Sequence, residues 1–265
     1  MNNDLFKYSF LAASGLDIGR SRKSNQDEVL FCPEIGFFGV SDGMGGMPKG
    51  GETSRRIKKE LPLMVKKITE DFRGGNANVV HELAEALKDL IITYNDRLFG
   101  ELNIGGKYLC GATLSCVMLA GSTAIFINLG DSRGFILNNL DHSLRQITED
   151  HNVAAELVRI GALTREQAKN HYSSSQLVQY MGMDPPAKPD CFMEEISPGD
   201  SILLCSDGLY GMLSDAELAI LLRSSNDPNT VCKRLVDAAN KAGGRDNISA
   251  VYITIDQIRD AQDGN

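Results

Sequence analysis

Three apolar runs in this chain end abruptly in a short turn that carries an aspartate. Gly36-Phe-Phe-Gly-Val40 delivers Ser41-Asp42-Gly43, Ala124-Ile-Phe-Ile-Asn-Leu129 delivers Gly130-Asp131-Ser132, and Ser201-Ile-Leu-Leu-Cys205 delivers Ser206-Asp207-Gly208. Two further aspartates stand just ahead of apolar runs, Asp27 in Asn25-Gln26-Asp27 and Asp246 in Arg245-Asp246-Asn247. Singly, each has a plain explanation, because Asp-Gly and Asp-Ser are common turn pairs. Together they place carboxylates at strand ends, where a rigid sheet can hold them close. Like charges crowded in this way repel unless a cation neutralises them.

The ligand set selects the cation. Oxygen donors suit Mg²⁺ or Mn²⁺, whereas Zn²⁺ favours His or Cys, and His81, His142, His151 and His171 show no ligand spacing. Two hard cations sharing a carboxylate polarise phosphoryl oxygens and supply hydroxide at neutral pH, the parts of a metal-assisted hydrolysis. Arg22, five residues before Asp27, can hold a phosphate by two parallel hydrogen bonds. Rival phosphate chemistries lack their parts. No cysteine is followed by five residues and an arginine, and Gly43-Met-Gly-Gly-Met-Pro-Lys49 lacks the glycine directly before lysine that a P-loop requires.

The elements that must position these groups are legible from periodicity. Ile57, Leu61, Met64 and Ile68, and then Val80, Leu83, Leu87, Leu90, Tyr94 and Leu98, repeat at helical spacing. Shorter helical patterns cover 153–160, 215–223 with Ser214 as cap, and 230–241 with Thr230 or a neighbour as cap. Strand patterns cover 28–32, 37–40, 113–119, 124–129, 134–137, 191–196, 201–205 and 248–255. Several are apolar on both faces and so need cover on both, which two stacked sheets with helices outside them supply. Strands and helices come in blocks rather than in strict alternation, so mainly antiparallel sheets are expected.

Composition sets the frame. The chain has 265 residues, 27 Lys+Arg against 35 Asp+Glu, a net charge of −8 and 42% apolar side chains. That is globular stock, neither disordered nor fibrous. The acidic balance argues against nucleic acid, and Arg55-Arg56-Ile57-Lys58-Lys59 reads as a solvated helix face. No apolar stretch is long enough to span a bilayer and residues 1–14 do not resemble a signal peptide, so a cytoplasmic protein is expected. The six cysteines lack a Cys-x-x-Cys pair and read as small core residues in a reducing compartment. No linker divides the chain, so one domain is expected over 1–265, with a core of about 10–255 and a few loose residues at each end.

In order, Gly19-x-x-Arg22-x-x-Asn25-Gln26-Asp27, Val40-Ser-Asp42-Gly43-Met-Gly-Gly46, Gly111-Ala-Thr113-Leu, Gly130-Asp131-Ser-Arg133, Thr148-Glu-Asp150-His151, Ser206-Asp207-Gly208-Leu and Arg245-Asp246-Asn247 span nearly the whole chain. Each motif alone is weak, but the ordered set resembles the PPM family, the metal-dependent Ser/Thr protein phosphatases of protein phosphatase 2C type, and is similar to its compact bacterial members. The resemblance implies an α+β fold, a four-layer α/β/β/α sandwich of two antiparallel sheets, with a two-metal site at one end. It implies hydrolysis of phosphoserine and phosphothreonine in proteins, opposing Ser/Thr kinases, by a water bridging two Mn²⁺ or Mg²⁺ ions.

Carried over residue by residue, the resemblance makes Asp42 the bridging ligand, the Gly43 carbonyl a ligand of one ion, and Asp207 and Asp246 ligands of the other. Asp27, beside Gln26, acts mostly through metal-bound water, and Arg22 grips the phosphoryl group. Arg22, Asp27 and Asp42 are thus the expected catalytic residues. Asp131 with Asp207 is the expected seat of a third ion, weaker because Gly211 stands where some relatives have an acid. Met44 replaces the His of many relatives and cannot donate a proton, so the leaving group is protonated by water or another residue. Residues 150–189 read either as a flap shaping substrate access or as a surface helix pair, and His151 as a structural partner at a helix start. The implied partners are phosphorylated proteins, without nucleic acid or membrane, and the chain is expected to act as a monomer. A silent phosphoprotein-binding scaffold and a small-phosphoester hydrolase are the competing readings. The first would have lost its metal-binding aspartates, and the second differs only in its groove.

Overall fold

The computed structural model describes residues 5, 7–72, 77–103, 105, 107–169 and 171–257. Along the chain run β1 (Ser9–Asp17), β2 (Asp27–Cys32), β3 (Phe37–Asp42), α1 (Gly50–Thr69), α2 (Ala77–Leu102), β4 (Leu114–Ala120), β5 (Thr123–Leu129), β6 (Arg133–Leu137) and β7 (Leu144–Gln146). There follow α3 (Val153–Arg159), α4 (Arg165–Lys169), β8 (Asp190–Glu195), β9 (Ser201–Cys205), α5 (Asp207–Tyr210), α6 (Asp215–Leu222), α7 (Pro228–Lys241) and β10 (Ile248–Asp256). One sheet has the order β1-β10-β9-β6-β7 and the other β2-β3-β4-β5-β8. Every pairing is antiparallel, so the expected sandwich is the fold observed.

Three apolar layers explain the doubly apolar strands. Phe38, Val117, Phe126, Ile202 and Val251 fill the space between the sheets. Ile57, Leu61 and Val65 of α1, spaced by four, join Leu83, Leu87, Ile91 and Leu98 of α2 on the outer face of the second sheet. Val231, Leu235 and Ala239 of α7, with Leu218 and Leu222 of α6, cover the outer face of the first. All seven residues of β4 are buried because both of its faces are covered.

The structure corrects the sequence reading at several elements. β1 is a nine-residue strand that pairs along its whole length with β10; its mixture of Ser, Ala and Gly gives no clear alternation. β7 and α4 are additions to the expected elements, and Asp207 opens the helix α5 rather than lying in a simple turn. Ser214 caps α6 in a reciprocal capping box with Glu217, as expected. α7, however, starts at Pro228, and the Asp227 carboxylate caps it by accepting the backbone N–H of Asn229 and Thr230, which puts Thr230 inside the helix. The Arg55–Lys59 run is not all solvated: Ile57 is fully buried, while Arg56 pairs with Glu60 and Glu101 and Lys58 with Glu28. The six cysteines are free, four of them buried. Of the few loose residues expected at each end, those at 1–4, 6 and 258–265 lie outside the described residues. Among the described residues, no helix is long and apolar enough to cross a membrane.

Candidate active site

The strand ends that carry the aspartates lie at one end of both sheets. Asp27, the first residue of β2, is directly opposite Asp42, the last of β3. Past β3, Gly43 bridges Ala112, and Ala112 in turn bridges Met181, where the 150–189 segment returns to the sheet. β9 hands over to Asp207, and Asp246 stands two residues before β10. The first turn of α5 and the turn before β10 touch so closely that a Cβ at Gly208 would stand 1.8 Å from the Asn247 carbonyl oxygen. Gly19, at φ +79°, likewise lets its chain pass where a Cβ would be 2.1 Å from the Asp246 carbonyl oxygen.

Asn247 ties the Arg22 loop to this end. Its side-chain amide donates to the carbonyls of Ile18 (2.9 Å) and Ser24 (3.1 Å), and its Oδ1 accepts the Gln26 N–H (2.9 Å). Arg22 is thereby delivered beside Asp246, with which it forms an ion pair while 46% of its side chain stays exposed. The Asp246 carboxylate, with Asp207 and Asp42 nearby, pushes the arginine pKa further up.

The carboxyls behave as an over-crowded acid cluster. Asp27 is 1% exposed, and its Oδ2 accepts a 2.6 Å hydrogen bond from Ser206 Oγ, which itself accepts the Ser249 N–H at 3.1 Å. Burial raises the Asp27 pKa against the pull of these hydroxyls. Burial, with the charges of Asp27 and Asp207, raises the Asp42 pKa well above the carboxylate range. Burial, with Asp246 and Asp27, moves Asp207 to about 6, and burial, with Asp207 and Asp150, moves Asp131 to about 8. Asp27 Oδ1 and Asp207 Oδ1 are buried with no hydrogen-bond partner.

These observations test whether the donors suit a hard divalent cation, and they do. The donors are oxygens, two of them orphaned, in a group whose charges repel. Among the described residues no three of His, Cys, Asp or Glu stand in ready ligand geometry. Burial and mutual repulsion instead raise the pKa values of Asp27, Asp42 and Asp207, a cost that cations would relieve.

Further residues brace the cluster. Thr113 Oγ1 accepts the Asp42 N–H at 2.9 Å and lies 2.6 Å from Ser132 Oγ, joining the β3 end to the Asp131 turn. Arg133 holds Asp150 by two hydrogen bonds of 2.9 and 2.8 Å and stacks 3.7 Å over the Tyr210 ring. Tyr210 Oη donates to the Asp131 carbonyl at 2.9 Å, so α5, the Asp131 turn and the root of the 150–189 segment are bound together. His151 accepts the Gly130 N–H on Nδ1, which leaves Nε2 to donate to Asp190 at 2.9 Å, a structural role just ahead of the Asn152 cap of α3. Sequence reasoning does not single out Ser206, Ser132 or Tyr210. Their motifs are visible, but the side chains act on partners up to 179 residues away.

The four-layer fold that carries these acids and the arginine is shared by solved phosphatase structures. The PPM Ser-Thr phosphatase MsPP from Mycobacterium smegmatis, in complex with cacodylate, aligns over 93% of this chain and 98% of its own with TM-score 0.75 and 31% identity. The catalytic domain of serine threonine protein phosphatase PstP, in complex with 2 manganese ions, aligns over 94% and 99% with TM-score 0.77 and 27% identity. Serine/threonine phosphatase stp of Listeria monocytogenes serovar 1/2a is 31% identical over 227 residues, 85% of this chain and 87% of that protein. Residues 18–248 match the family model of protein phosphatase 2C. The chain belongs to the protein phosphatase 2C family and is a serine/threonine protein phosphatase.

Proposed function

We propose that this phosphatase removes phosphate from phosphoserine and phosphothreonine in proteins with Mn²⁺ or Mg²⁺ as cofactor, opposing Ser/Thr kinases as a cytoplasmic monomer. The observation that carries the reading is the convergence of Asp27, Asp42, Asp207 and Asp246, with orphaned oxygens on Asp27 and Asp207, beside the exposed guanidinium of Arg22.

In this reading Asp42, the Gly43 carbonyl, Asp207 and Asp246 would hold the two ions, and Asp27 would act mostly through water. When bound, two such ions would supply Lewis acidity at the phosphoryl group and an acidified water. The remaining work falls to the chain. Ser206 fixes the Asp27 carboxylate, and Thr113 fixes the backbone that aims Asp42. Arg22, pre-oriented by Asp246, donates paired N–H groups to the phosphoryl oxygens and holds phosphorus in line for attack. Asp131, facing Asp207, gives a third and weaker cation seat. Met44 has no proton to give, so the departing serine or threonine oxygen takes its proton from water or another residue. Residues 150–189, rooted at Asp150 and Met181, act as the flap beside the cleft.

Retention of Asp42, Asp207 and Asp246 disfavours the silent scaffold. The test is hydrolysis of a phosphothreonine peptide, set against phosphotyrosine and small esters. Mn²⁺-dependent turnover that chelator abolishes, and that Asp207→Asn loses while folded, is the expected result; full turnover in chelator would end the reading.

A further inference from the structure

The mouth of the site carries more positive charge than Asp246 engages. Arg20 and Lys23 on the Arg22 loop, Arg245 on the turn before β10 and Arg55 on α1 are all exposed, and none of them ion-pairs with a described carboxylate. Arg20, Arg245 and Arg55 lie on segments that adjoin the Arg22 loop. The Arg20 N–H donates to the Gly244 carbonyl at 2.7 Å, and the Arg245 side chain lies against Gly243, next along that turn. On the other side, Arg22 Nη1 and Gln26 Oε1 lie 3.3 and 3.5 Å from where a Cβ at Gly45 would stand. Arg55 Nη1 and Gln26 Nε2 similarly flank Gly51, at 3.2 and 3.4 Å from such a Cβ. The arc therefore runs from Arg245 through Arg20 and Arg22 to Arg55. Neighbouring helix cations are engaged elsewhere, Arg56 by two glutamates and Lys58 by Glu28.

In a chain of net charge −8, these four exposed cations lie on or beside the loop that carries Arg22. Of the cations on these segments, only Arg22 is assigned to the phosphoryl group itself. The outer cations stand beyond it, placed to meet whatever flanks the phosphoresidue. Complementary charge at such a rim acts on encounter and selectivity, and it is screened by salt.

We propose that Arg20, Arg245 and Arg55, with Lys23, select phosphoproteins bearing additional anionic groups, carboxylate or phosphate, within a few residues of the phosphoserine or phosphothreonine. The proposal rests on the phosphatase site described above and names its preferred substrates.

The test uses the Mn²⁺-loaded enzyme and three phosphothreonine peptides of one core sequence: neutral flanks, Glu flanks, and a second phosphothreonine. The native enzyme should favour the anionic peptides by about tenfold in kcat/KM, through KM, with the preference shrinking at high salt. Combined Arg20→Ala, Arg55→Ala and Arg245→Ala should leave the neutral peptide unchanged and abolish the preference. Arg20→Gln alone, at a fully surface position, should reduce it in the same direction by about threefold. A gain on both anionic peptides supports recognition of charge in general, and a gain only on the doubly phosphorylated one supports recognition of phosphate. Equal kcat/KM on all three peptides, or variant losses equal on neutral and anionic peptides, would overturn the proposal and leave the phosphatase reading standing. So would competition by single-stranded RNA that depends on the rim while the peptides go undiscriminated. Failure of the native enzyme to hydrolyse even the neutral peptide would remove the phosphatase reading, and this proposal with it.

Discussion

Asp27 and Asp42 face each other directly across β2 and β3 at the buried end of the sheet, and burial raises the pKa of both. Like charges opposed in this way destabilise a sheet. The fold tolerates the pair because Ser206 holds Asp27, and a shared proton or a cation relieves the repulsion.

Replacing Asp42 by Asn should lower kcat on a phosphothreonine peptide by about 10³-fold or more, since cation-borne charge stabilisation amounts to several kcal/mol. In chelator the same variant should melt no lower than the native protein, because a buried repulsion is gone. A folded Asp42→Asn enzyme with native kcat would contradict the site.

Removing the Ser206 hydroxyl takes from Asp27 the donor that orients it. Ser206→Ala should raise the Mn²⁺ concentration for half-maximal activity by about 10-fold or more, with near-native kcat at saturation. The comparison is a pair of Mn²⁺ activation curves; superimposable curves would show that Ser206 has no part in cation binding.

Asp207 and Asp131 give the metal-free protein a distinctive pH response. Their pKa values, about 6 and about 8 in the fold, exceed the unfolded value of 3.8, so between these limits the native state holds protons that the unfolded state releases. The stability they contribute is fully present below 3.8 and is lost as pH climbs through about 6 and then about 8. Melting in chelator should therefore fall between about pH 5 and pH 8.5, and Mn²⁺ should restore more at the upper end. Asp131→Asn should flatten the upper part of the fall; a native profile in that variant would contradict the assignment.

Arg22→Ala should raise KM for the phosphopeptide by about 10-fold or more, and Arg22→Lys should recover only part of the loss, because an ammonium cannot make the paired contact. Steady-state kinetics decide this, and an unchanged KM would reject the role given to Arg22.

Phe38 is fully buried between the sheets, edge-on to Phe10 at 5.6 Å and Phe31 at 5.2 Å. Phe38→Ala should cost about 3–5 kcal/mol in denaturant unfolding. A loss below about 1 kcal/mol would mean that the layer between the sheets collapses around the gap.

What the sequence determined by itself was local. The short apolar runs of the strands, covered on both faces, and the repeat of about 3.6 in α1, α2 and α7 follow from which sides of each element meet apolar neighbours, so they can be read without the fold. The habit of ending an apolar run in Asp likewise marks Asp42, Asp131 and Asp207 from the order of residues alone. The tertiary structure decided everything that depends on register between distant segments. β1 has no clear alternation and becomes a strand only because β10 offers it a full-length partner. Ser206 finds Asp27 across 179 residues, Asn247 clamps a loop 223 residues earlier at Ser24, and Arg20 meets Gly244. Such pairings arise when stacked sheets bring the ends of separate strands together, and chain-local spacing carries no record of which ends will meet.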